Sequence, residues 1–298
     1  MATLRIQSIL FHNDTQAIER TLDCIHRAAD LAIAQGCFSA VQVAYGDCSP
    51  TALFDDEYIA RLQAAHSGYF RLDVMHFGAN LGSAKGHNTL LQASEADYVL
   101  IMNPDVVLAP NTLIELARPL MSPGGVGMVE ARQLPIEHPK AYNPVTGETS
   151  WATTACALIP ASVFAQIGAF DDETFFLYCD DVDFSWRVRL AGLKVVYQPS
   201  AAVFHDKRLS NDAGWLPSNA EKYYSAEAAL LLPCKWSRPD VAERIFKQYQ
   251  GSGIEYLERA AAEYKRRQAE GRLPQPLDAD HRIAEFVGDM YTTHRFTI

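Results

Sequence analysis

Apolar and polar positions alternate in blocks along the first half of the chain. RIQSILFH (Arg5 to His12), AVQVAY (Ala40 to Tyr45), FRLDVMHF (Phe70 to Phe77) and DYVLIMN (Asp97 to Asn103) are short apolar runs that read as strands. Between them, apolar residues fall at helical spacing. Ile18, Leu22, Ile25, Ala29 and Ile33 share one face of a helix that Asp14 can cap and Gly36 can end. Further helices are expected around Asp56 to Ala65, from Gly82 to Ala93, and from Thr112 to Leu120, where Thr112 and Glu115 have capping-box spacing. Strands alternating with helices predict right-handed crossovers and a mostly parallel α/β sheet. Reactive groups are then expected in the crevice at the carboxyl ends of the strands. The Asp47 turn, the Asn80 loop and Asp105 all follow strand ends and can share it.

The pattern changes in the second half. Gly124 to Trp151 is loop-rich, with Pro135, Pro139 and Pro144. From there to about Lys207 the order reads strand, helix, acidic loop, helix, strand. Beyond Tyr223 the periodicity is mainly helical, over Asp240 to Gln250 and Ile254 to Glu270. The stretch after Gly271 is polar, carries Pro274 and Pro276, and reads as a mobile arm. Two parts are therefore expected, residues 1–222 and a helical extension over 223–298.

Composition narrows the class. Among 298 residues, 48% are hydrophobic and 21% charged, which suits a globular protein, and the net charge of −10 argues against a nucleic-acid partner. The basic cluster Lys265-Arg266-Arg267 reads as a solvated helix face, with peripheral contact to an anionic membrane surface as the alternative. The helical part could equally form a homodimer contact. No apolar run has the roughly 18 residues a membrane helix needs, and the N-terminus begins directly as a strand. A cytoplasmic location is expected, including the inner face of the membrane. Six scattered cysteines without a CxxC pair fit reduced thiols.

Four stretches carry candidate chemistry. In VLIMNPDVVLAP (Val99 to Pro110), Asp105 is an acid hemmed in by apolar residues, which is costly unless it is paired. It suits a divalent cation, which takes oxygen ligands from one or two carboxylates and substrate phosphates; a turn cap is the alternative. In NLGSAKGHN (Asn80 to Asn88), Gly82 and Gly86 permit close approach of a ligand to a helix start, and Lys85 adds a charge. The spacing matches neither a dinucleotide fingerprint nor a phosphate-binding P-loop. In FFLYCDDVDFSWRVRLAG (Phe175 to Gly192), Asp180, Asp181 and Asp183 crowd together among aromatic residues. One of them can be a general base, with Arg187 positioning a neighbour. His205 ends an apolar strand and is either structural or a neutral imidazole ligand.

Together these pieces resemble a family-2 glycosyltransferase of the GT-A fold, rhamnosyltransferase-like branch, over roughly Arg5 to Ser210. The resemblance lies in their order: GDCSP, NLGSAKGHN, Asn103-Pro104-Asp105, the Gly168 to Phe176 stretch GAFDDETFF, Asp180-Asp181-Val182-Asp183 with Arg187 behind it, and His205. It implies an inverting transfer of a sugar from a nucleoside-diphosphate donor, a dTDP- or UDP-sugar, to a hydroxyl of a growing or lipid-linked glycan. It also implies a Mn²⁺ or Mg²⁺ ion held by Asp105 and His205. Phe11, Asp47, Asn80, Gly82, Lys85, Asn103 and Asp105 would line the nucleotide-sugar cleft. Asp181 would be the catalytic base, and Trp151, Thr153, Thr154 and Asp180 would face the acceptor. Two departures stand out. The family's D-N-x-S turn is replaced by Gly46-Asp47-Cys48-Ser49, and a neutral Asn103 fills the first acidic slot of the metal motif. The rivals are a nucleotide-sugar-binding homologue without catalysis and a sugar-nucleotide nucleotidyltransferase. The second would need a Gly-rich loop where LFHNDTQAIER stands.

Overall fold

The computed structural model describes residues 2–66, 68, 70–135, 140–206 and 217–292. Its first half alternates: β1 (Thr3–Leu10), α1 (Thr15–Ala34), β2 (Ala40–Asp47), α2 (Asp56–Ala65), β3 (Phe70–His76), α3 (Gly82–Leu91) and β4 (Tyr98–Met102). Then come β5 (Val106–Leu108), α4 (Thr112–Met121), β6 (Val126–Leu134), β7 (Glu148–Thr149), β8 (Cys156–Pro160), α5 (Ala161–Ile167), α6 (Asp180–Leu190) and β9 (Lys194–His205). Three helices follow, α7 (Asn219–Lys235), α8 (Pro239–Tyr249) and α9 (Glu255–Ala269).

One nine-stranded sheet organises these elements, in the order β3-β2-β1-β4-β8-β6-β9-β5, with β7 beside β9. Strands β1 to β4 run parallel to one another. β8 opposes β4 and β6, while β6 and β9 are parallel and β5 and β7 oppose β9. Strands β1, β2, β3, β4, β6 and β9 thus share one direction, so their carboxyl ends lie along one edge.

The alternation of side chains across the pleat fills both faces. Leu4, Ile6, Val41, Val43 and Leu100 pack with Leu22, Ile25 and Leu113 in the largest core. Val99, Ile101, Ala157 and Ile159 pack on the other face with Val163, Phe184 and Val188 of α5 and α6. A further core joins α6 to α7, α8 and α9 around Trp186 and Trp236, whose rings meet edge to face at 5.2 Å.

The structure revises several local expectations. The region read as loop contains β6, whose pattern is obscured by Glu130, a buried acid, and by Gly127, where a Cβ would stand 2.8 Å from Val188. Helix α4 has no capping box. Thr112 donates to the Ala202 carbonyl (2.6 Å), and Glu115 turns to Arg118 and Ser200. The capping box belongs instead to Ser218 and Glu221 at α7, so residue 222 falls inside a helix. Beyond Gly271, Leu277, Ile283, Phe286 and Tyr291 pack against the third core, and Ser237 donates to the Leu277 carbonyl (2.6 Å). Residues 293–298 lie outside the described part.

Candidate functional site

Pro104 does not interrupt a strand; it sits in the turn between β4 and β5. Asn103 donates its N–H to the Ala155 carbonyl (2.9 Å), which ties this turn to the strand next door. β5 leaves β4 and pairs with β9, placing Val106 opposite His205. This pairing brings Asp105 Oδ1 to 3.3 Å from His205 Nε2, with Asn103 Nδ2 3.5 Å from the same nitrogen. Asp105 is 42% exposed, so its acid is open to a ligand rather than trapped in the core.

Gln133 on β6 defines the state of the histidine. Its amide oxygen lies 2.7 Å from His205 Nδ1, and both residues are buried. With the oxygen facing the ring, Nδ1 carries the proton and Nε2 presents a lone pair towards Asp105. Two acceptors at this distance need a proton or a cation between them. A neutral imidazole, a carboxylate and an adjacent amide are a fitting partial donor set for Mn²⁺ or Mg²⁺, with phosphate oxygens or water completing it. Among the described residues no group of three His, Cys, Asp or Glu side chains is placed to hold a metal alone.

The Asn80 loop is built by close approach. Asn80 accepts from the Gly82 N–H (3.1 Å). Gly82 has φ 75° and lies against Phe176, where an added Cβ would come 2.3 Å from the carbonyl oxygen. Ser83 donates its N–H to that carbonyl (3.0 Å), joining this loop to the approach of the acidic box. Lys85 is exposed on α3, and Phe11 is 46% exposed beyond β1. Asp47 differs from expectation. It is buried, and its two oxygens accept from the N–H groups of Ser49 (2.9 Å) and Leu53 (2.7 Å), so its carboxylate shapes its own loop instead of presenting to a base.

Tyr178 and Cys179 adopt left-handed backbone, with φ of 69° and 58°, and turn the chain sharply into α6. The three acids then diverge. Asp183 is buried and structural: it accepts from Arg187 Nε (2.9 Å) and Trp236 Nε1 (3.1 Å) and pairs with Lys235 (2.8 Å). Arg187 thereby holds Asp183, and its other nitrogens donate to the Ile167 and Ala169 carbonyls. Asp180 is also buried, beside Ser83, with Oδ2 lacking a protein partner; burial, and secondarily the Asp181 charge, push its carboxyl up to about 7. Expected to face the acceptor, it lies instead beneath the surface. Asp181 is the partly exposed member, at the N-terminal end of α6.

The acceptor-side expectations need a larger correction. Trp151 is only 3% exposed. Lys140 Nζ stands 3.3 Å from its ring centroid, and Tyr291 meets it edge-on at 5.0 Å. A ring so covered offers no face to a sugar. Thr153 and Thr154 are buried too, and the Thr153 hydroxyl accepts from the Ala155 N–H (3.2 Å). The Trp151–Ala155 segment is instead a brace. Ala155 holds Asn103, while Ala152 exchanges hydrogen bonds with Ser185 Oγ (3.0 and 3.2 Å), which also lies 2.8 Å from the Asp181 carbonyl. Gln133, Glu130 and Lys140 carry no signal in the sequence beyond being polar residues beside apolar ones; only the fold brings them here.

Comparison with known proteins follows the same lines. A model of the family described as glycosyltransferase like family 2 matches residues 16–215. The chain is 30% identical over 191 residues to the N-acetylglucosaminyl-diphospho-decaprenol L-rhamnosyltransferase of Mycobacterium tuberculosis, covering 49% of this chain and 62% of the relative. It is 22% identical over 169 residues to the rhamnosyltransferase WbbL of Escherichia coli, covering 46% of this chain and 63% of the relative. The chain therefore spans about three-fifths of the length of these relatives. Two solved GT-A enzymes share the fold. The Pyrobaculum calidifontis mannosyltransferase PcManGT, in complex with GDP-Man and Mn²⁺, gives a TM-score of 0.56 at 15% identity, over 93% of this chain and 77% of that one. GalNAc-T7 with UDP, GalNAc and Mn²⁺ gives 0.63 at 12% identity, over 89% and 54%.

Proposed function

Because the chain belongs to glycosyltransferase family 2, matched over residues 16–215, we propose that it transfers one sugar from a nucleoside-diphosphate donor to a hydroxyl of a glycan. We take the donor to be a dTDP- or UDP-sugar and the acceptor to be a growing or lipid-linked glycan. The observation that carries the reading is the convergence, at one edge of the sheet, of Asp105 and His205 with the brace that reaches Asp181.

Asp105 and His205 would hold a divalent cation, with the Asn103 amide beside them; a bound Mn²⁺ or Mg²⁺ would offset charge developing on the departing diphosphate. The Asn80–Lys85 loop would carry the donor, with Lys85 as a surface charge near its phosphates. Asp181 accepts the proton of the acceptor hydroxyl as its oxygen bonds to the anomeric carbon. The bond from that carbon to the nucleoside diphosphate breaks on the opposite side, so the anomeric configuration inverts. Sequence likeness to two rhamnosyltransferases favours a deoxyhexose donor. The buried Trp151 leaves acceptor recognition to other groups.

A panel of nucleotide sugars with Mn²⁺ tests the proposal, read by transfer or slow donor hydrolysis and by melting temperature. At least one donor should be turned over and should raise the melting temperature; neither effect from any donor would end the reading. Asp181→Asn should lower turnover by at least about 100-fold with donor affinity retained. Binding without turnover in the unaltered protein would favour a nucleotide-sugar-binding homologue, in line with the neutral Asn103.

A further inference from the structure

Lys140 and Glu130 form an ion pair with 2.6 Å between Nζ and Oε2, and their side chains are 2% and 1% exposed. Taking two charges out of water costs several kcal/mol per ion, and well-packed apolar residues often serve stability as well or better. The pair is thus poorly explained as a stability device alone. Its position suggests another use. Lys140 Nζ lies 3.2 Å from the Trp151 carbonyl oxygen and 3.3 Å from the Trp151 ring centroid, so the ammonium grips the first residue of the brace by two contacts. The far end of the same brace holds Asn103, and its second residue binds the Ser185 hydroxyl that touches the first turn of α6. The Asp181 charge also acts on both Lys140 and Glu130.

We propose that Lys140 is a positioning residue for the acceptor side of the site: it anchors the Trp151–Ala155 brace, which through Ser185 reaches the Asp181 backbone, and it sets the charge that Asp181 senses. The inference rests on Asp181 being the proton acceptor. Charged groups that sense Asp181 include Asp180 on its own helix, Glu130 on β6 and Lys140 on the segment before β7. Burial raises the Glu130 carboxyl to about 7 and lowers the Lys140 ammonium from its usual range, while the Asp181 charge pushes both upward. A cation nearby favours the ionised form of Asp181, the form that can take a proton.

The test is Lys140→Gln, which keeps a donor for the Trp151 carbonyl and removes the charge. Lys140→Met, of similar length and apolar, serves if the glutamine variant does not fold. Aspartate-selective carbon-13 NMR, assigned with Asp181→Asn, follows the Asp180–Asp181 pair through pH without any turnover. The lower midpoint of the pair should rise by about one pH unit in either variant, a tenfold gain in proton affinity. An unchanged midpoint in a folded variant overturns the proposal. With a donor that the unaltered protein turns over, kcat should fall about tenfold at neutral pH while the donor KM stays within about twofold. A parallel loss of kcat, donor affinity and melting temperature, with the midpoint unmoved, would reduce Lys140 to a structural role. An inactive unaltered protein whose midpoint still responds would preserve the electrostatic placement while removing the transferase reading.

Discussion

The tautomer of His205 is decided one strand away. Without Gln133 the ring could carry its proton on either nitrogen, and the lone pair would face Asp105 only part of the time. Groups of this kind behind a metal-ligating histidine are typically worth 10- to 100-fold in affinity. Gln133→Ala should accordingly weaken Mn²⁺ binding by about tenfold or more, measured by calorimetry with nucleoside diphosphate present, while the melting temperature without metal changes far less. Equal Mn²⁺ affinity in the variant would remove the metal from this site. Asp105, the residue an observer would pick first, needs no such support because it is partly open to water.

Helix α6 shows how one short segment can serve two ends. Its first turn leaves Asp181 partly exposed, while Asp183, two residues on, points into a buried network with Arg187, Lys235 and Trp236. Lys235 also pairs with Asp171 (2.6 Å), so the network joins α6, α7 and the Phe170–Phe175 stretch. Asp183→Ala would leave buried cations short of a counter-charge, and breaking such a pair costs about 3–5 kcal/mol. Urea unfolding should report a loss of that order; a change below about 1 kcal/mol would mean the network relaxes. The same helix marks how far sequence reasoning reaches. The acidic run was legible because three acids among aromatic residues are costly without a purpose. Which acid does what was not, because Asp180, Asp181 and Asp183 differ only in what the fold packs against them. The strand-helix alternation up to β4 was likewise readable from periodicity. β6 is not legible in the same way, because a buried acid and a glycine interrupt its apolar pattern, and their partners lie on the Lys140 segment and α6. The burial of Trp151 is hidden in the sequence for a related reason: its covering groups, Lys140 and Tyr291, come from the loop before β7 and from the far end of the chain.

At the scale of the whole molecule, the helical extension is built into the site's support. Trp186 packs against Trp236 and Phe286, and Arg189 donates to the Ser150 (3.3 Å) and Ile283 (3.0 Å) carbonyls, bridging the residue just before the brace and the stretch beyond Gly271. Cutting the chain after Gly271 should therefore lower the melting temperature by several degrees and cost turnover, since about 1 kcal/mol corresponds to roughly 2–4 °C in a domain this large. A truncated protein with unchanged melting and activity would show that the stretch is dispensable. The described helices include none long and apolar enough to cross a membrane. On α9, Arg266 and Arg267 are paired with Glu263, Glu270 and Glu227, which leaves less free positive charge for an anionic surface than the basic run suggests.

The contact of Tyr291 with Trp151 also carries a consequence in time. A ribosome makes the sheet strands and the brace well before it makes the aromatic residues that cover them. The N-terminal strands and helices can close their own core from local pairings as they emerge. Trp151 has to wait for a partner 140 positions later (291 minus 151), a contact that brings a large loop-closure cost. During synthesis, then, the β1–β4 half of the sheet can take shape while the brace is still uncovered, and the surroundings of Trp151 are set last.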